Sequence, residues 1–206
     1  MKERGMIFNA EMVRAILDGR KTQTQTRRPI KWKQTRFTEI AERDDGSLWP
    51  WAEDCERGGD IWFACPYGEI GDRIWVRETF RVHSRATDVA TLVYQASVRN
   101  SWTEQTHRVP VAVCNKPATP EKWTPSIHMP RWASRITLEI TDVRVERLNS
   151  ITESDAEAEG VTDTGFGDLL VDGFRYLWKS IYGDDSWQAN PWVWVIEFKR
   201  VEGGAA

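Results

Sequence analysis

The chain has 206 residues, 40% of them hydrophobic and 29% charged, with a formal net charge of -3. That balance supports one substantial core and excludes both a disordered chain and a protein that meets nucleic acid through a global basic field. Cys55, Cys65 and Cys114 lack CxxC spacing and His83, His107 and His128 are scattered, so neither a disulfide framework nor a metal site is expected.

No apolar run reaches the length of about 18 residues that a membrane helix needs, and the expectation is a cytoplasmic protein of one domain, residues 1–206, with no cofactor. Asn9 is a natural N-cap, and Met12, Val13, Ile16 and Leu17 recur at helical spacing. Together they predict a helix over residues 9–18 that Gly19 ends. The period then changes to two. Thr22, Thr24 and Thr26 fall on one face of an extended segment, with Lys21, Gln23 and Gln25 on the other, and Pro29 ends it. The segment also holds Arg20, Arg27 and Arg28. A solvated, threonine-rich edge strand has the same composition as a reactive Lys/Thr site.

Residues 31–60 are polar and aperiodic and read as an excursion. Gly71 and Asp72 form a turn into a strand over residues 73–80, in which Ile74 and Val76 alternate with Trp75 and Arg77. Residues 83–130 carry strand-like pieces at 90–95 and 108–113 and a proline-rich passage; Trp102 and Trp123 mark them as a second excursion ordered against the core. From Ile136 a strand runs to about Val145, with Leu138 and Ile140 in one phase and Val143 and Val145 in the other, so a bend near Thr141 and Asp142 is expected.

Thr152 and Asp155 make a capping-box start for a helix over 153–159 that Gly160 ends. Asp155 and Glu159 lie four residues apart, so both carboxylates share a helix face. That face is either solvated or turned towards Lys21 and Thr24, where Glu159 supplies a carboxylate. Phe166, Leu170, Phe174, Trp178 and Ile181 define a longer amphipathic helix. In the closing strand, residues 192–199, Trp192, Trp194, Ile196 and Phe198 line one face. The remaining tryptophans, Trp32, Trp49, Trp51, Trp102 and Trp123, sit in polar surroundings suited either to packing under loops or to stacking on a base. Helices flanking short, non-sequential strands predict an α+β fold built on a small β-barrel.

Four segments, Gly19-Arg20-Lys21-Thr22-Gln23-Thr24, Gly71 to Glu78, Ile151 to Val161 and Trp194 to Lys199, together resemble the ASCH-domain proteins, of the larger phage and prophage type. The resemblance implies a PUA-like β-barrel with flanking helices and two long insertions, near 31–70 and 83–130. It further implies one of two activities. Compact ASCH members act as N4-acetylcytidine amidohydrolases, using a lysine, a threonine and a glutamate that correspond to Lys21, Thr24 and Glu159; others are RNA binders. Around a modified nucleoside or RNA, the resemblance implies Arg20, Thr26, Arg27, Trp75 and Glu78 as substrate-binding side chains, with Trp75 as a stacking surface. The repeated Gln-Thr leaves Thr26 as an alternative to Thr24.

The chemistry follows from the residue types. A threonine hydroxyl needs a neighbouring base. A buried lysine beside arginines supplies one, and a carboxyl protonates a departing nitrogen without a metal. Three readings compete: a metal-free amidohydrolase acting on an acylated cytidine, a non-catalytic module for RNA or a modified base, and a phage interaction protein without a nucleotide site.

Overall fold

The computed structural model describes residues 1–26, 39–54, 57–162 and 169–201. Arg27, Arg28, Pro29, Trp32, Cys55 and Phe166 lie outside the described residues. In chain order the elements are β1 (Glu3–Ile7), α1 (Ala10–Leu17), β2 (Gln23–Thr26), β3 (Glu39–Glu42), β4 (Leu48–Glu53), β5 (Asp60–Trp62), β6 (Arg73–Arg77), β7 (Phe80–Arg85) and β8 (Val89–Tyr94). They continue with α2 (Trp102–Gln105), β9 (Thr106–Pro110), β10 (Thr137–Arg147), α3 (Glu153–Ala158), α4 (Leu170–Tyr182), α5 (Asp184–Gln188) and β11 (Trp192–Val201). The chain is mixed α+β and divides into two compact units, one of Met1–Gly19, Asp72–Glu139 and Lys199–Ala206, the other of Arg20–Gly71 and Ile140–Phe198.

In the first unit, α1 forms where its spacing predicts: the Asn9 side chain accepts from the Met12 N–H at 2.8 Å, and Val13, Ala15 and Ile16 are buried. β1 pairs parallel with β6, from Glu3 opposite Arg73 to Ile7 opposite Arg77. The first residues of β10 pair antiparallel to β6. A separate antiparallel sheet, β7-β8-β9, covers a core of Phe80, Val82, Leu92, Tyr94, Val109 and Met129. Part of the 83–130 excursion is therefore sheet and core. The strand expected over 73–80 is broken in two. At the break Glu78 is buried and its backbone N–H donates to Met129 Sδ, so the chain leaves the ladder there and restarts at Phe80.

In the second unit, β10, β11 and β2 lie side by side, with β11 antiparallel to β2. Behind them Leu148, Ile151, Ala156, Phe174, Trp178, Trp187, Val193 and Val195 form one apolar cluster. Gly173 in α4 admits a close approach to Val161, whose Cγ1 a Cβ at that position would meet at 2.8 Å. The described part of residues 31–60, read as aperiodic, contains β3, β4 and the start of β5, which form a small antiparallel sheet. Its first turn was legible: Asp44-Asp45-Gly46-Ser47 places Gly46 at φ +80, and Asp45 accepts from the Ser47 N–H at 2.9 Å. The strands were obscured because they are short and carry acidic residues and Pro50.

The expected barrel is absent: no sheet among the described residues closes on itself. The reason is visible at β2. One side of it pairs with β11; on the other, Ala158 at the end of α3 accepts the Thr22 N–H at 2.8 Å, and the Glu159 carboxylate accepts the Gln25 N–H. A helix end satisfies an edge that a barrel would give to a strand.

β1 offers a check on packing in the first unit. A Cβ on Gly5 would stand 2.6 Å from Trp75 Cζ2 and 2.9 Å from Arg77 Cδ. Gly5→Ala is expected to destabilise by about 1–3 kcal/mol, because the ring and the arginine stem must both move. A thermal melt equal to that of the unsubstituted chain contradicts this packing.

Candidate functional site

Gly160, at φ +85, terminates α3 and leaves Glu159 as its C-cap. The helix is only Glu153–Ala158, and it starts on a capping box in which the Thr152 hydroxyl accepts from the Asp155 N–H at 3.1 Å while Asp155 accepts from the Thr152 N–H at 3.0 Å. The two acidic residues that share its face therefore part company. Asp155 caps the helix start and meets Arg144 at 3.1 Å, whereas Glu159 turns to β2.

There the Lys21 ammonium lies 2.5 Å from Glu159 Oε2, with the two side chains 0% and 2% exposed. It also donates to the Glu159 carbonyl oxygen at 2.9 Å, which puts a cation on the last carbonyls of the helix, where the helix dipole favours one. The second carboxylate oxygen takes the Gln25 N–H. Burial pushes the Glu159 pKa up, against the opposing effects of the Lys21 ammonium and the Gln25 N–H.

Arg144, on β10, was not singled out by sequence, and it organises the surroundings of the pair. Its guanidinium donates to Gln23 Oε1 at 3.0 Å, Asp155 at 3.1 Å, Glu146 at 2.6 Å and Glu197, joining β2, α3, β10 and β11. It also meets Asp142 at 3.3 Å, and a lone arginine in an alternating strand gives no sign that five partners converge on it. Arg20, by contrast, is exposed and donates to the Gly160 carbonyl at 3.1 Å.

The register of β2 against β11 sorts the remaining residues. Directly opposed residues share a face of a sheet. Thr24 is opposite Ile196 and Thr26 opposite Trp194, so both threonines lie on the aromatic face of β11; Gln25 is opposite Val195, on the other. Thr24 is buried, and the Thr26 hydroxyl is 3.4 Å from the Tyr67 hydroxyl. Trp49 packs edge-on to Trp194, with ring centroids 5.5 Å apart. Three side chains here bury polar atoms without a hydrogen-bond partner among the described residues: Gln23 at Nε2, Gln25 at both ends of its amide, and Trp194 at its indole N–H.

Trp75 and Glu78 belong to the first unit. Trp75 lies against Gly5, with the Arg77 guanidinium 5.4 Å from its ring centroid. Glu78 is held bidentately by Arg135, at 2.9 and 3.1 Å, and burial raises its pKa against the pull of that guanidinium. Arg135 also donates to Ser97 Oγ at 2.8 Å and covers the Tyr94 ring at 4.0 Å, so this carboxylate is fully engaged. Arg27 lies outside the described residues. Among the described residues no group of three or more His, Cys, Asp and Glu side chains is arranged to hold a metal ion. None of their helices is long and apolar enough to cross a membrane.

No family model matches the chain, and no curated protein matches it. Among solved structures it is similar to an ASCH domain from Lactobacillus crispatus JV V101, at 13% identity and a TM-score of 0.39, over 97% of this chain and 79% of that one.

The buried pair has a direct thermodynamic signature. Lys21→Met leaves the Glu159 carboxylate buried without its cation and is expected to destabilise by about 3–5 kcal/mol, whereas adding Glu159→Leu to it recovers most of that loss. Folding raises the Glu159 pKa above its ordinary 4.5, so its proton contributes stability below that pH, and the contribution is lost as pH rises towards the folded value. Urea unfolding from about pH 4 to about pH 7 is expected to show the stability of the unsubstituted chain falling relative to Glu159→Gln. A difference independent of pH contradicts the raised pKa.

Proposed function

We propose that this protein hydrolyses the N4-acyl amide of a modified cytidine nucleoside, with Lys21, Thr24 and Glu159 as the reacting side chains. The observation that carries the proposal is the fully buried Lys21–Glu159 pair at the edge of the strand that bears Thr24. Burial favours a proton on Glu159, and a proton passing to it from Lys21 leaves a free amine. That amine accepts the Thr24 hydroxyl proton as Oγ bonds to the acyl carbon. Collapse of the tetrahedral adduct breaks the bond to N4, which takes its proton from Glu159 and leaves as cytidine. Water then cleaves the threonine ester, releasing the carboxylic acid and restoring the hydroxyl. The resemblance of the Lys21–Thr24 and Ile151–Val161 segments to the compact ASCH amidohydrolases supports the same assignment.

One observation favours a second reading, a non-catalytic module that binds RNA or a modified base. Both members of the pair are satisfied by internal hydrogen bonds and closed to solvent, as a structural clamp requires.

Incubation with N4-acetylcytidine, followed by chromatography for cytidine, separates the two. Hydrolysis should fall at least about 100-fold in Thr24→Ala and in Lys21→Arg, because a guanidinium does not give up its proton near neutral pH. Thr26→Ala should cost much less. Retained hydrolysis in Lys21→Arg overturns the lysine mechanism. Binding that weakens with salt, without turnover in the unsubstituted chain, establishes the module instead.

A further inference from the structure

Trp194 is a large, fully buried side chain, 2% exposed, on the central strand of the second unit's β10-β11-β2 set. Its ring is packed by Trp49, but its Nε1–H has no hydrogen-bond partner among the described residues. Buried indole N–H groups usually find an acceptor, and one left without costs stability that a phenylalanine would avoid. Elsewhere in the unit the expected pattern holds: the buried Trp178 donates to Ser186 Oγ at 3.0 Å. Nor does the hydroxyl across the strand serve Trp194. Thr26, directly opposite it, is engaged with the Tyr67 hydroxyl at 3.4 Å.

The position of this donor gives it a meaning. Trp194 shares its face of the sheet with Thr24 and Thr26, two residue pairs along from the Thr24–Ile196 pair. We infer that the Trp194 Nε1–H is a specificity-determining donor to a carbonyl oxygen of the ligand that Thr24 meets, with the Trp49 ring forming part of the wall beside it. This rests on the nucleoside reading above and extends it to a residue outside the Lys/Thr/Glu set. A ligand carbonyl supplies the acceptor that the protein itself withholds, and a planar ring fits an aromatic wall. An acylated cytidine carries two such oxygens, one on the pyrimidine ring and one on the acyl group. Donation to the first orients the base. Donation to the second polarises the carbon that Thr24 attacks and stabilises the negative charge that develops on that oxygen.

The test is made on the unsubstituted chain by following indole N–H resonances in protein labelled with nitrogen-15, with Trp194 assigned through the backbone. On addition of N4-acetylcytidine, the Trp194 proton is expected to shift downfield as it gains an acceptor. In parallel, Trp194→Phe should keep or raise the melting temperature of the free protein and weaken the ligand by about 10-fold or more. Equal weakening for both nucleosides assigns the ring carbonyl. A fall in kcat for N4-acetylcytidine with cytidine affinity unchanged assigns the acyl carbonyl. If the unsubstituted chain binds or hydrolyses N4-acetylcytidine while the Trp194 resonance stays in place, the inference is overturned and the nucleoside reading stands. If it neither binds nor hydrolyses N4-acetylcytidine, both fall together.

Discussion

The free edge of β2 governs the second unit. An edge strand presents N–H groups that must find acceptors, and here the acceptors come from the end of α3: the Ala158 carbonyl for Thr22 and the Glu159 carboxylate for Gln25. A carboxylate placed there is cut off from water, and a buried anion persists only beside a cation or with a proton. Lys21 answers that demand, and because its ammonium also reaches the Glu159 carbonyl, it closes the helix as well as balancing the charge. Each step forces the next, from unpaired edge to helix end, buried carboxylate and buried lysine.

A helix of six residues cannot hold itself together, since isolated helices shorter than about 12 residues are marginal in water. α3 is held at both ends by ions. Arg144 grips Asp155 at its start while reaching Gln23 on β2 and Glu197 on β11, and Lys21 grips Glu159 at its finish. Since Lys21 and Gln23 flank the start of β2, the two grips set the helix against the strand twice. The Lys21–Glu159 pair is thereby fixed in place by the fold itself.

The first unit uses the same device for another end. Glu78 is as deeply buried as Glu159, but Arg135 occupies both of its oxygens, and the arginine is in turn tied to Ser97 and laid over Tyr94. A bidentate guanidinium holds both carboxylate oxygens in a fixed geometry and locks the break between β6 and β7. Lys21 takes only one oxygen of Glu159 and leaves the other to the Gln25 N–H, so the second unit's carboxylate is shared between a side chain and the strand edge.

The local elements were written in the chain. Asn9, the spacing of Val13 and Ile16, the Thr152–Asp155 capping box and the alternation of Trp192–Phe198 each depend on residues within one or two turns, so a period and a cap suffice to read them. The alternation of Lys21–Thr26 likewise told that the threonines and the glutamines take opposite faces. What the sequence did not contain was the neighbour across each gap. That the edge of β2 meets a helix end and no sheet among the described residues closes, that Arg144 gathers carboxylates from several elements, and that the Trp194 N–H has no acceptor among the described residues are properties of groups far apart in the chain. Periodicity records which way a side chain points; only the tertiary structure decides what it meets there, because partners are chosen by packing and charge balance among elements that the local pattern cannot bring together.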